Sequence, residues 1–74
     1  MDKEVLNHES STIVKTEYDY DVYILQVTFK GGAVYEYENV PHEKYLQFKG
    51  SESRGSFLAK EIKGTYEYRK IEKE

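Results

Sequence analysis

The sequence predicts an α+β domain: a small antiparallel sheet of about four strands with two short helices packed on one face, in the order β-β-β-α-α-β. Three observations carry that expectation. Residues 27–37 are two alternating apolar/polar runs joined by Gly31-Gly32, and a glycine pair supplies the positive φ values that a tight hairpin needs. Residues 41–63 carry apolar side chains at helical spacing, punctuated by Pro41, Gly50, Ser53 and Gly64, which are start and stop signals for two helices. Residues 65–71 return to strict alternation, as a closing strand does.

At 74 residues there is room for one domain with one thin core. No cysteine is present, which excludes disulfides, thiolate metal sites and thiol catalysis, and fits a reducing cytoplasm. Eight Tyr and three Phe supply what a small aliphatic core lacks, because a tyrosine can bury its ring while its hydroxyl reaches water. The net charge is −3, unevenly spread: residues 1–40 hold three Lys against eight acids, and residues 41–74 hold eight Lys/Arg against six. An acidic balance argues against a generic polyanion binder and leaves the C-terminal half as the positive side. No apolar run reaches membrane-spanning length, and the N-terminus lacks the plan of a signal peptide. The expectation is a cytoplasmic protein with no membrane association.

Taken in order, residues 1–9 read as a flexible leader, polar apart from Val5 and Leu6. A first strand over 11–18 has Val14, Thr16 and Tyr18 on one parity. Asp19-Tyr20-Asp21 supplies turn chemistry. A second strand over 22–30 places Tyr23, Leu25, Val27 and Phe29 on one face. The third, over 34–39, has two registers open to it. A two-residue loop pairs Phe29 with Val34 and turns Glu36 onto the apolar face. A three-residue loop, Gly31 to Ala33, pairs Phe29 with Tyr35 and Val27 with Tyr37. The second is preferred, because an unpaired buried carboxylate costs several kcal/mol whereas a tyrosine ring gains by burial. A helix follows from Pro41 to Gly50 with Tyr45 and Phe48 inward, then a second from Arg54 to Lys63, capped by Ser53, with Ser56, Lys60 and Lys63 outward. Residues 72–74 are expected to fray.

Ser10-Ser11, the hairpin ending in Tyr35-x-Tyr37, Val40-Pro41 with Tyr45, Ser53-x-Gly55-x-Phe57, and the closing Ile62-Lys63-Gly64-x-Tyr66-x-Tyr68-Arg69-Lys70-Ile71 together resemble the KTSC domain. The resemblance spans residues 10–71 as a single domain. The family is named for its occurrence at the C-terminus of some lysyl-tRNA synthetases and also occurs as small stand-alone bacterial and phage-type proteins. Its function is uncharacterised; the tRNA-enzyme context implies RNA binding.

Two function classes emerge. The first is a non-catalytic domain that binds RNA or single-stranded nucleic acid, through a basic patch of Lys60, Lys63, Arg69 and Lys70, joined by Lys44, with Tyr35, Tyr37, Tyr66 and Tyr68 as stacking contacts. Core packing of Tyr35 and Tyr37 competes, since Glu36 and Glu38 would face any phosphate on the open side, and a charged helix face is often merely solvated. The second is a protein-binding adaptor or inhibitor, of a kind phages encode, that uses an acidic, tyrosine-rich sheet side. Ser53, Arg54, Gly55 and Ser56 form a candidate anion cradle for a phosphorylated metabolite, against plain capping by Ser53. Gly50-x-x-x-x-Gly55 lacks the lysine of a P-loop and follows no strand, which excludes nucleotide hydrolysis of that kind. His8 and His42 have no ligand-spaced partner, and neither a nucleophile nor an oxyanion donor is identifiable, so no metal, cofactor or enzymatic activity is expected.

Overall fold

A computed structural model describes residues 3–8 and 12–71. The chain runs β1 (Lys3–Asn7), β2 (Ile13–Asp19), β3 (Ile24–Phe29), β4 (Val34–Tyr37), α1 (His42–Lys49), α2 (Arg54–Phe57), a π-helical segment (Leu58–Ile62), and β5 (Tyr68–Ile71). The five strands form one antiparallel sheet in sequence order, β1-β2-β3-β4-β5. The helices cover one face, so the α+β expectation holds, with one more strand than anticipated.

The extra strand is β1, which occupies most of the stretch expected as a leader. Lys3–Asn7 pairs along its whole length with Lys15–Asp19. Its inward residues are Glu4 and Leu6, and only Leu6 packs on the apolar core. A carboxylate stands where an apolar residue would have announced a strand. Glu4 is held by the Tyr20 hydroxyl at 3.0 Å, the Tyr45 hydroxyl at 2.9 Å and Lys49 Nζ at 3.0 Å. Those donors keep its carboxyl below the usual carboxylate range, which ties an edge strand to α1. His8 follows β1, and residues 1, 2 and 9 of the expected leader, like the expected frayed tail, lie outside the described residues.

In β2 a bulge between Ile13 and Lys15 breaks the alternation. Val14 is therefore 41% exposed and Ile13 is fully buried in its place, a local reversal of the expected parity. Asp19 Oδ1 accepts from the Asp21 amide, as the turn chemistry predicted. The turn consumes Val22 and Tyr23, Tyr23 taking φ +62, so β3 begins later than expected.

The hairpin places Val27 opposite Tyr35 and Leu25 opposite Tyr37. The face is the expected one, but the pairing is two residues away from the preferred register. The reason lies in the turn: Phe29 donates to the Ala33 carbonyl and Gly32 to the Phe29 carbonyl, so the loop is Lys30-Gly31-Gly32, with both glycines near φ +97. Tyr37 is 2% exposed and packs with Leu25, Val27, Tyr45, Phe48, Leu58 and Ile62. Glu36 points to the open face, where Arg69 Nη2 donates to it at 2.8 Å.

Pro41 caps α1 from just outside rather than starting it, and Tyr45 and Phe48 are fully buried. Ser53 caps α2, accepting from the Ser56 amide. The helix then widens, with Lys63 donating to the Leu58 carbonyl five residues back. Relative to a continued α-helix, that extra residue rotates the downstream side chains by about 100°.

Candidate nucleic-acid interface

The widened turn and the register of β4 and β5 build one site between them. Because Tyr37 pairs with Tyr68 and Tyr35 with Lys70, these four side chains project on the helical side of the sheet. Here β5 is an edge strand, and Tyr68 stays 60% exposed. Tyr35, Tyr37, Tyr68 and Lys63 line a cleft of about 250 Å³. Tyr68 meets Tyr35 nearly perpendicular at 5.6 Å and Tyr37 tilted at 5.9 Å, while Tyr35 meets Phe29 at 5.6 Å. Lys63 Nζ lies 5.9 Å from the centre of the Phe29 ring, so a cation already sits against the aromatic row. Burial pushes the Tyr37 hydroxyl up to about 12, and it remains a protonated donor at neutral pH. A second, wider groove of about 470 Å³ adjoins the first and is lined by Lys63, Gly64, Thr65, Tyr66, Glu67 and Tyr68.

The expected site residues therefore separate. Tyr35, Tyr37, Tyr68 and Lys63 converge, and Tyr66 joins them in the adjoining groove. Tyr35 and Tyr37 are not an open-sheet platform, since Tyr37 belongs to the core and Tyr35 packs partly against it. Arg69 leaves the group, because strand alternation puts it on the open face against Glu36. Lys60 is exposed on the π-helical segment and lines neither groove. Lys70 is exposed on β5 beside the cleft rather than in its wall. Lys44 pairs with Glu61 at 3.3 Å. Phe29, which seats Lys63, was placed on the inward face by its alternation but not connected with the site; the wide turn that brings Lys63 to it has no signature in residue spacing.

The Ser53–Ser56 segment is a capped helix start whose arginine is already engaged. Arg54 donates through Nη2 and Nε to the Lys49 carbonyl at 2.8 and 3.1 Å, closing the end of α1, and its Nη1 lies 3.2 Å from His8 Nδ1. His8 Nε2 lies 2.9 Å from Thr16 Oγ1, a pattern that suits a neutral ring accepting from Arg54 and donating to Thr16. Burial, reinforced by the Arg54 charge, holds the His8 imidazole below its ordinary value of 6.5. The unfolded chain then takes up a proton near 6.5 while the folded one resists, so stability falls as pH drops below about 6.5. Urea midpoints at pH 7.5 and 5.5 are expected to differ in that direction for the native chain and to converge in His8→Asn; an unchanged gap in the variant contradicts the assignment.

The expected acidic, tyrosine-rich sheet side is not formed: the acidic row of the open face contains no tyrosine, while Glu4 meets Tyr20 and Tyr45 on the helical side. The open face carries Glu17, Asp19 and Glu36 with Lys3 around a shallow pocket of about 80 Å³, and the rings lie on the other face or at its edge. Among the described residues, no group of three or more His, Asp or Glu side chains is placed to hold a metal ion. No helix among them is long and apolar enough to cross a membrane.

A meander sheet under a short helical layer, with an aromatic cleft at one edge strand, defines a small α+β domain of two layers. The KTSC domain family matches residues 9–72, and the chain belongs to that family. The crystal structure of a KTSC domain protein from Yersinia pestis is similar to this chain with a TM-score of 0.86 and 32% identity, over 96% of this chain and 100% of that one. No curated protein matches the chain.

Proposed function

We propose that this KTSC domain is a non-catalytic module that binds single-stranded nucleic acid, RNA foremost, at the β4–β5 edge. The observation that supports this most is the cleft where Tyr35, Tyr37 and Tyr68 meet Lys63. Stacking on an exposed ring contributes about 1–3 kcal/mol per base and tolerates any sequence. A lysine beside the ring supplies the phosphate contact that stacking lacks. The strand approaches over β5 and the π-helical segment, the positive half of the chain, and avoids the open face with its Glu17, Asp19 and Glu36. A cysteine-free chain suits the reducing cytoplasm, where such strands are plentiful.

Titration with a single-stranded oligonucleotide at about 50 and about 200 mM salt tests the reading. Affinity is expected to fall with salt, with a slope of about −0.7 per phosphate neutralised. A flat response, or no binding at the lower salt, overturns it.

The open face supports a second reading, a protein-binding adaptor, because Val5 and Val22 are 51% and 52% exposed there among the carboxylates. A partner captured from nuclease-treated lysate and lost in Val22→Asp supports it; capture unaffected by that substitution overturns it.

A further inference from the structure

Resting on the nucleic-acid reading above, we propose that Tyr68 is a wedge between two consecutive bases of a single strand, with Lys63 on the phosphate that links them. Tyr68 and Lys63 are the two residues common to the walls of both grooves. Tyr68 borders both the 250 Å³ cleft with Tyr35 and Tyr37 and the wider groove bounded by Thr65, Tyr66 and Glu67. One exposed ring shared by two adjoining grooves, with one cation lining both, fits a dinucleotide step: base, phosphate, base.

Size and charge narrow the ligand. The smaller cleft falls below the range of about 300–1,000 Å³ typical of pockets for drug-sized ligands, so it has room for a flat base and leaves the sugar and phosphate at the rim. Glu67 on the wall of the wider groove repels a phosphate there. It suits a base edge instead, since a carboxylate accepts from an exocyclic amino group. A ring between two bases stretches their separation from about 3.4 Å to about 7 Å. A flexible single strand reaches that spacing, whereas a duplex must first unstack. The minimal ligand is therefore a single-stranded dinucleotide with its internal phosphate, and a mononucleotide fills only one groove.

The test titrates the full chain, followed by its amide signals, with adenosine monophosphate, the dinucleotide ApA, and a longer oligoadenylate. The dinucleotide is expected to bind at least about tenfold more tightly than the mononucleotide, the increment of a second stacked base. Tyr68→Ala is expected to lose about tenfold or more for ApA while Tyr68→Phe keeps its affinity, each variant retaining native amide dispersion because the ring is exposed. Lys63→Gln is expected to lower the salt slope by about 0.7. Equal binding of the mononucleotide and ApA, or oligoadenylate binding untouched in Tyr68→Ala, overturns the wedge and leaves the broader reading intact. Failure of every oligonucleotide to bind overturns both.

Discussion

Phe48→Ala is expected to remove a large fraction of the domain's stability. Phe48 is fully buried, with ring contacts to His8 at 5.8 Å, Phe57 at 6.2 Å and Tyr45 at 6.3 Å. It thus joins β1's end, α1 and α2 at one point. Removing a buried phenylalanine costs about 3–5 kcal/mol, part transfer and part cavity. A domain of this length holds about 4–11 kcal/mol in total. The melting temperature, followed by circular dichroism, is expected to fall by at least about 12 °C or the transition to vanish. Leu46→Ala on the same helix is the control, since Leu46 is 54% exposed and its loss is expected to cost under about 0.5 kcal/mol. Equal effects of the two substitutions contradict the placement of the core.

Glu4→Ala comes next in size, at about 2–3 kcal/mol. The substitution strips an acceptor from Tyr20, Tyr45 and Lys49 together. The Tyr45 hydroxyl belongs to a fully buried residue, and leaving such a group unsatisfied costs about 1–3 kcal/mol. The ion pair with Lys49 adds little, because both side chains are 32% exposed and water screens them. Glu4→Gln is accordingly expected to cost less than half as much, since its carbonyl still accepts from the hydroxyls. The two substitutions also differ from the native chain in acid. The folded carboxyl titrates below 4.5, so its contribution is fully present above that value and is lost as pH falls through the lower folded value. Denaturant midpoints between pH 6 and 3 are expected to slope less in Glu4→Gln than in the native chain. An identical slope contradicts a role for Glu4 as the tie between β1 and α1.

Most of the fold was legible because most of it obeys local rules. Alternation located β3 and β4, the Val40-Pro41 and Gly50 signals bracketed α1, and burial of rings rather than carboxylates chose the right face for Tyr35 and Tyr37. What escaped is what depends on distant partners. Glu4 makes β1 inward-facing only because tyrosines from a turn and a helix converge on it. The bulge beside Val14 is a property of the β2–β3 pair, not of either strand alone. The site was half legible for the same reason. Alternation separates Tyr68 from Arg69 once β5 is paired, while the seating of Lys63 against Phe29 depends on a widened helical turn that has no residue signature.

The central claim is that the working surface is the tyrosine cleft at the β4–β5 edge and not the open face of the sheet. A map of amide shifts on adding a single-stranded oligonucleotide at low salt addresses it most directly. The signals of Tyr35, Lys63, Thr65 and Tyr68 are expected to move together while those of Glu17, Gln26 and Glu36 stay in place. Movement of the Glu17–Gln26–Glu36 row with the cleft signals unchanged contradicts it.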